Sequence, residues 1–128
     1  MDFLSAEQIL FIHARLIEET GGSHGVRDLD SLLSAIGRPQ ANFDGQDHYP
    51  DLFSKAAAWM ESCIGNHLFV DGNKRTGVTV AGIFLRRNGY RLVASNADLL
   101  KVAMRIAQSQ FSLDEIAAWL RENSQPNS

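Results

Sequence analysis

Apolar residues recur along most of the chain at the three-to-four-residue spacing of a helix face, and glycine, proline and asparagine cut the pattern into segments. In SAEQILFIHARLIEETGG the face carries Ile9, Ile12, Leu16 and Ile17. Ser5 followed by Gln8 predicts a capping box, which satisfies two of the amides a helix start leaves unpaired. Gly21 predicts the stop. RDLDSLLSAIGRPQ repeats this order, with Asp28 as N-cap, Leu29, Leu32, Leu33 and Ile36 on one side, and Gly37 and Pro39 at the end. DLFSKAAAWMESCI reads as a third helix ending at Gly65, its alanines allowing close approach of a neighbour. A fourth, from about Asn73 to Arg87, is apolar on nearly all sides between its ends and is expected at the centre of the domain. YRLVA reads as a short extended link. SNADLLKVAMRIAQSQ presents Leu99, Leu100, Val102, Ala103 and Ile106. SLDEIAAWLREN opens with a second capping box, Ser112 to Glu115, and presents Ile116, Trp119 and Leu120.

The pattern fails between Gly37 and Pro50, where GRPQANFDGQDHYP has no sustained period and many turn residues; a long loop or a small hairpin is expected. Long loops inside a compact domain are often functional. Asp44, Asp47, His48 and Asp51 raise the idea of a metal site, but their spacing matches no calcium or zinc pattern, and a solvated turn is the preferred reading. The pattern therefore predicts an all-α, single-domain bundle of about six helices around a central apolar helix, with a long loop or small hairpin. The domain is expected to cover 1–124, with 125–128 frayed.

Composition narrows the class. A chain of 128 residues, 45% hydrophobic and 21% charged, is an ordinary globular domain. A formal charge of −3 argues against a protein that coats nucleic acid. The basic cluster Arg86, Arg87 and Arg91 is better read as a solvated helix end, where cations are favoured, than as a DNA-binding surface. No direct nucleic-acid binding is expected. Cys63 is the only cysteine, so no intrachain disulfide forms, and a small buried apolar side chain is the preferred reading. MDFLSAEQIL lacks a basic region ahead of an apolar run, and GVTVAGIFL is too short to span a bilayer. A cytoplasmic protein without a membrane partner is expected.

One polar stretch interrupts the two most apolar segments: HLFVDGNKRTG, His67 to Gly77, between AAAWMESCI and VTVAGIFL. Gly72 supplies the freedom a tight turn before a helix requires, and Asn73 is a candidate N-cap. A helix start presents unpaired amides and partial positive charge, which suit an anion. Lys74 and Arg75 add two cations where the macrodipole favours acids, an arrangement that makes sense around a polyphosphate. Asp71 would be repelled by that anion unless it holds a divalent ion that also binds the phosphates, as Mg2+ does. An imidazole can take a proton near neutral pH, which makes His67 the candidate base. Phe69 is expected to point inward and pin the loop. Each feature alone is better explained as a turn or a solvated helix start; their conjunction describes a phosphoryl or nucleotidyl transfer site. The chain has no GxxxxGK[ST] and no GxGxxG.

HLFVDGNKRTG resembles the signature loop of the Fic/Doc superfamily: a His, a Phe two residues on, an acid two beyond that, then Gly, Asn and a basic residue. GRPQA, from Gly37 to Ala41, and FLRRNG, from Phe84 to Gly89, are similar to segments of the Doc, or death-on-curing, branch, so the resemblance covers nearly the whole chain. It implies an all-helical Fic fold that transfers part of a nucleotide, with ATP and Mg2+, to a protein hydroxyl. His67 would be the general base, Asp71 the Mg2+ carboxylate, and Gly72, Asn73, Lys74 and Arg75 the phosphate-holding helix start. The loop after Gly37 would be the flap that aligns the target backbone.

Adenylylating members read GNGR where this chain has Lys74 in the third position. The Doc branch shares the lysine and phosphorylates with the nucleotide inverted, so the resemblance implies a kinase toxin acting on a Ser or Thr of a translation factor, elongation factor Tu, and arresting growth. The alternative is an adenylyltransferase using the same loop. Ahead of His67 stand Gly65 and Asn66, where a Doc relative has an arginine nearby, and that residue's role is not carried over. The [ST]xxxE[GN] inhibitory helix of many Fic proteins is absent, so restraint is expected from a separate antitoxin that blocks the site.

Overall fold

Helix starts follow the caps that the sequence supplies. In the computed structural model, which describes residues 1–127, α1 spans Ala6–Thr20. The Ser5 hydroxyl accepts from the Gln8 N–H at 3.2 Å, and the Gln8 side chain accepts from the Ser5 N–H at 2.8 Å. Asp28 caps α2, Leu29–Gly37, by accepting from the Ser31 N–H. A short 3-10 turn, Arg38–Gln40, continues α2 past Gly37. Asp51 caps α3, Leu52–Gly65, by accepting from the Ser54 N–H at 2.8 Å, and its carboxylate also meets Arg121 at 3.2 Å. Asp51 is thus a capping residue, not part of the solvated turn. Helix α4 spans Asn73–Arg87, α5 spans Asn96–Ala107 behind Ser95, and α6 spans Leu113–Glu122 behind the Ser112–Glu115 box.

Between α2 and α3 the chain makes a hairpin, β1 (Asn42–Phe43) against β2 (Gln46–Asp47). Asp44 and Gly45 at its tip both have positive φ, 52° and 78°, as a two-residue turn of matching twist demands. Two cations anchor its base. Arg38 donates to the Tyr49 hydroxyl at 2.7 Å, to Ser62 at 2.9 Å and to Glu61 at 2.8 Å. Lys55, only 3% exposed, donates from Nζ to the Pro39 carbonyl at 3.0 Å and lies 3.5 Å from Asp47 Oδ2.

The expected frayed end is corrected for its first residues. Ser124–Pro126 form β4, antiparallel to β3 (Tyr90–Leu92), with Leu92 opposite Ser124 and Tyr90 opposite Pro126. Among the described residues the β3 backbone has no other strand to pair with, and bonds from the Val93 N–H to Asn123 O and from the Asn127 N–H to Gly89 O extend the pairing at both ends. Ser128 lies outside the described residues.

Helix α3 is more enclosed than α4, and packs against α2, α4, α5 and α6. Ala56, Ala57 and Ala58 are buried, and their small size lets neighbours close in. At Gly77 of α4 a Cβ would sit 2.7 Å from Ile64 Cγ1, so the two helices are in backbone-close contact, and Trp59 Nε1–H donates to the Gly77 carbonyl at 3.1 Å. The face of α4 bearing Val78, Thr79 and Gly82 borders a cavity instead of a neighbouring helix. A helix apolar on nearly all sides thus packs against α1, α3 and α5 and still fronts a cavity. No described helix is long and apolar enough to cross a membrane.

Candidate active site

The segment between α3 and α4 is held from inside. Phe69 is 1% exposed, as expected of the residue that pins the loop. Asn73 brackets it: Oδ1 accepts from the Phe69 N–H at 2.8 Å and Nδ2–H donates to the Phe69 carbonyl at 2.9 Å. The N-cap position is filled by Gly72, in the left-handed conformation (φ 76°, ψ 22°), and Asn73 is the first helical residue. The expectation of Asn73 as N-cap is therefore corrected. Its amide is spent on fixing the loop, and what it can offer an anion is its backbone N–H.

Two elements far back in the sequence complete the frame. His13, buried on α1, stacks on Phe69 with ring centroids 3.9 Å apart and planes 9° apart, and its Nε2 lies 2.8 Å from the Asp71 carbonyl. The glycine-rich stretch after α1 runs antiparallel to the loop. Val26 bridges Phe69, the Arg27 N–H donates to Leu68 O, and the Val70 N–H donates to Gly25 O. This brings the Ser23 N–H to Asp71 Oδ2 at 3.1 Å, while the Gly72 N–H reaches Oδ1 at 2.9 Å. Those two amides, with smaller help from Arg75 and His13, hold the Asp71 carboxyl below the usual carboxylate range. The charged form is favoured, and each oxygen keeps lone pairs for a cation or solvent.

His67 is exposed and takes a left-handed backbone (φ 49°), a conformation that costs a residue with a Cβ and that often marks a functional position. It lines a cavity of about 890 Å³ together with Asp71, Gly72, Asn73, Lys74 and Arg75. The six residues singled out from the sequence thus share one concavity. Lys74 and Arg75 form no ion pair among the described residues. Arg75 donates to the Thr20 hydroxyl at the end of α1, which orients the guanidinium without neutralising it. The opposite wall is apolar, from Leu92, Leu99, Leu100 and Ala103, with Val78 and Gly82 between. A cation-rich helix start at one end and an aliphatic wall at the other suit a ligand with an anionic tail and a planar apolar body. Among the described residues there is no group of three His, Cys, Asp or Glu side chains that would hold a metal alone. A single carboxylate fits Mg2+ only if phosphate oxygens complete the set. Cys63 is buried and burial pushes its thiol up, so it offers no thiolate.

The sequence reading missed His13, Ser23 and the α5 wall. For His13 the signal was present: it stands at i+4 between Ile9 and Ile17, a polar residue in a buried stripe. Ser23 carried no signal of its own, since its backbone does the work.

A mostly helical bundle whose loop-to-helix junction joins a histidine, a carboxylate and a cationic helix start is the architecture of a Fic-type transferase. The Fic/DOC family model matches residues 3–85, and the chain belongs to that family. It is similar to Toxin Doc of Mycolicibacterium smegmatis, 42% identical over 121 residues covering 93% of this chain and 86% of that protein. It is also similar to Protein kinase doc of Escherichia phage P1, 32% identical over 121 residues and 94% of each chain.

Proposed function

We propose that this chain is a Doc-like toxin that transfers the terminal phosphate of ATP to a Ser or Thr hydroxyl of a translation factor, with elongation factor Tu as the first target to test. The single observation that carries the reading is the shared cavity: His67 and the helix start Gly72–Arg75 line the same concavity. The relatives' names, a toxin and a protein kinase, support it.

In this reading Lys74, Arg75 and the first amides of α4 hold the phosphates, and the aliphatic wall on α5 takes the base. His67 accepts the hydroxyl proton as the hydroxyl oxygen attacks. The new oxygen–phosphorus bond forms while the bond from the terminal phosphorus to its bridging oxygen breaks, and ADP leaves. A hydroxyl is too weak an acid to ionise first, so proton transfer accompanies attack and contributes about 10² to 10⁴ in rate. Asp71 would hold Mg2+ with the phosphate oxygens, and the ion supplies charge neutralisation there. Positioning and electrostatics carry the rest. A separate antitoxin restrains the enzyme by covering the cavity.

The test uses the purified protein, elongation factor Tu, and ATP labelled on either its terminal or its first phosphate. Terminal label on the target supports the kinase. First-phosphate label overturns it in favour of adenylylation, and undiminished transfer by His67→Ala overturns the role of His67.

A further inference from the structure

Position 13 belongs to a buried stripe, Ile9, His13 and Ile17, that faces the loop ahead of α4. A third aliphatic residue would complete that stripe. An imidazole buried there is costly unless its polar atoms find partners. The partner is the Asp71 carbonyl, 2.8 Å from Nε2 and 58 positions away in sequence. A carbonyl oxygen only accepts, so Nε2 carries the proton and donates. The ring face lies against Phe69, the side chain that Asn73 brackets through its backbone. The peptide beyond Asp71 lies flush on the same helix: at Gly72 a Cβ would stand 3.0 Å from Ile17 Cδ1 and 3.8 Å from His13 Nε2. Asp71 is thus fixed at both ends, its carbonyl by His13 and its carboxylate by the amides of Ser23 and Gly72.

We propose that His13 is a positioning residue: its Nε2–H and its stacked ring set the Asp71–Gly72 peptide, and through it the direction of the Asp71 carboxylate and of the first turn of α4. A backbone carbonyl that turned freely at Asp71 would let the whole junction rotate, because Gly72 restricts φ and ψ very little. Misplacement by about 1 Å at such a junction costs on the order of 10² in rate. His13 is not among the residues that line the cavity, so its effect is read through Asp71.

The proposal deepens the phosphotransfer reading and rests on it for its kinetic arm alone. Two variants separate the donor from the packing. His13→Phe keeps an aromatic face on Phe69 and removes the donor. His13→Gln keeps a donor and removes the ring. With His13→Phe we expect a cooperatively folded protein in which amide exchange at Gly72 and Ser23 is at least tenfold faster than in the parent, and core amides of α3 are unchanged. We further expect the Mg2+ concentration for half-maximal transfer to rise about tenfold, with the KM for the protein target unchanged. His13→Gln is expected to recover most of the Mg2+ dependence although it is the less stable variant. Parental exchange at Gly72 and Ser23 in His13→Phe overturns the proposal. So does a His13→Gln defect that simply follows its lower melting temperature. Should the parent show no transfer at all, the phosphotransfer reading falls, while the exchange experiment still decides whether His13 holds the junction.

Discussion

The side-chain amide of Asn73 closes a two-sided bracket on the backbone of Phe69, accepting at 2.8 Å and donating at 2.9 Å. The pair is buried, so removing the amide strands an N–H and a carbonyl away from water. Asn73→Ala is expected to lower stability by about 2 kcal/mol and to abolish transfer by releasing the loop. Asn73→Asp keeps the acceptor and should retain part of the stability. Urea unfolding of both variants checks this.

That bracket also shows where sequence reading stops. Caps at Ser5, Asp28 and Ser112 were legible because a cap is a contact between residues three apart. The motif from His67 to Arg75 was legible because its residue types are chemically incongruous beside apolar flanks. Asn73 stood at a helix start, where the local rule assigns it to the cap, and only the fold reveals that Gly72 caps and Asn73 turns inward. His13 to Asp71, Ser23 to Asp71 and the pairing of β3 with β4 join segments more than 30 residues apart, and no periodicity encodes such partnerships. The cavity along α4 was not legible because apolar faces look alike whether they meet a helix or a cavity.

Lys74 and Arg75 sit at the start of α4 against the macrodipole and without a carboxylate partner among the described residues. Lys74→Ala is expected to raise stability by about 0.3 to 1 kcal/mol while weakening ATP binding. The loss should shrink as salt is added, because screening already weakens the parent. Thermal melts and calorimetric titration at two ionic strengths measure both effects.

Two helix caps make the fold acid-sensitive. Bonds from the Ser31 backbone and hydroxyl hold the Asp28 carboxyl low, and bonds from the Ser112 backbone and hydroxyl do the same for Glu115. Their folded values lie below the unfolded ones, so the stabilisation is complete above the unfolded carboxylate range near pH 4 and is lost as pH falls through the lowered values. Glu115→Gln keeps an acceptor that does not titrate. Its urea midpoint is expected to fall less than the parent's between pH 5 and pH 2.5, and an identical fall would remove Glu115 from the account.

The buried Lys55 ammonium depends on Asp47 at the hairpin base, 3.5 Å away, and on the Pro39 carbonyl. Asp47 is half exposed, which tempers the pair's strength. Asp47→Ala is expected to cost about 1 kcal/mol and to speed amide exchange in the hairpin. In a Lys55→Met background, where no buried charge remains, the same substitution should cost almost nothing. A cost unchanged by the background would show that the two side chains are uncoupled.

His67 combines an exposed imidazole with a left-handed backbone at φ 49°. Glycine adopts that conformation without steric cost, whereas a residue bearing a Cβ is strained by about 1 kcal/mol. Part of that relief is returned through the greater freedom of glycine in the unfolded chain. His67→Gly is therefore expected to be as stable as the parent or up to about 0.5 kcal/mol more stable, yet inactive in transfer. His67→Ala, which keeps the strain, should melt at or slightly below the parent temperature with the same loss of activity. Calorimetry of the three proteins beside the labelled-ATP assay separates backbone strain from chemistry, and a destabilised His67→Gly would mean that the ring contributes packing as well as a base.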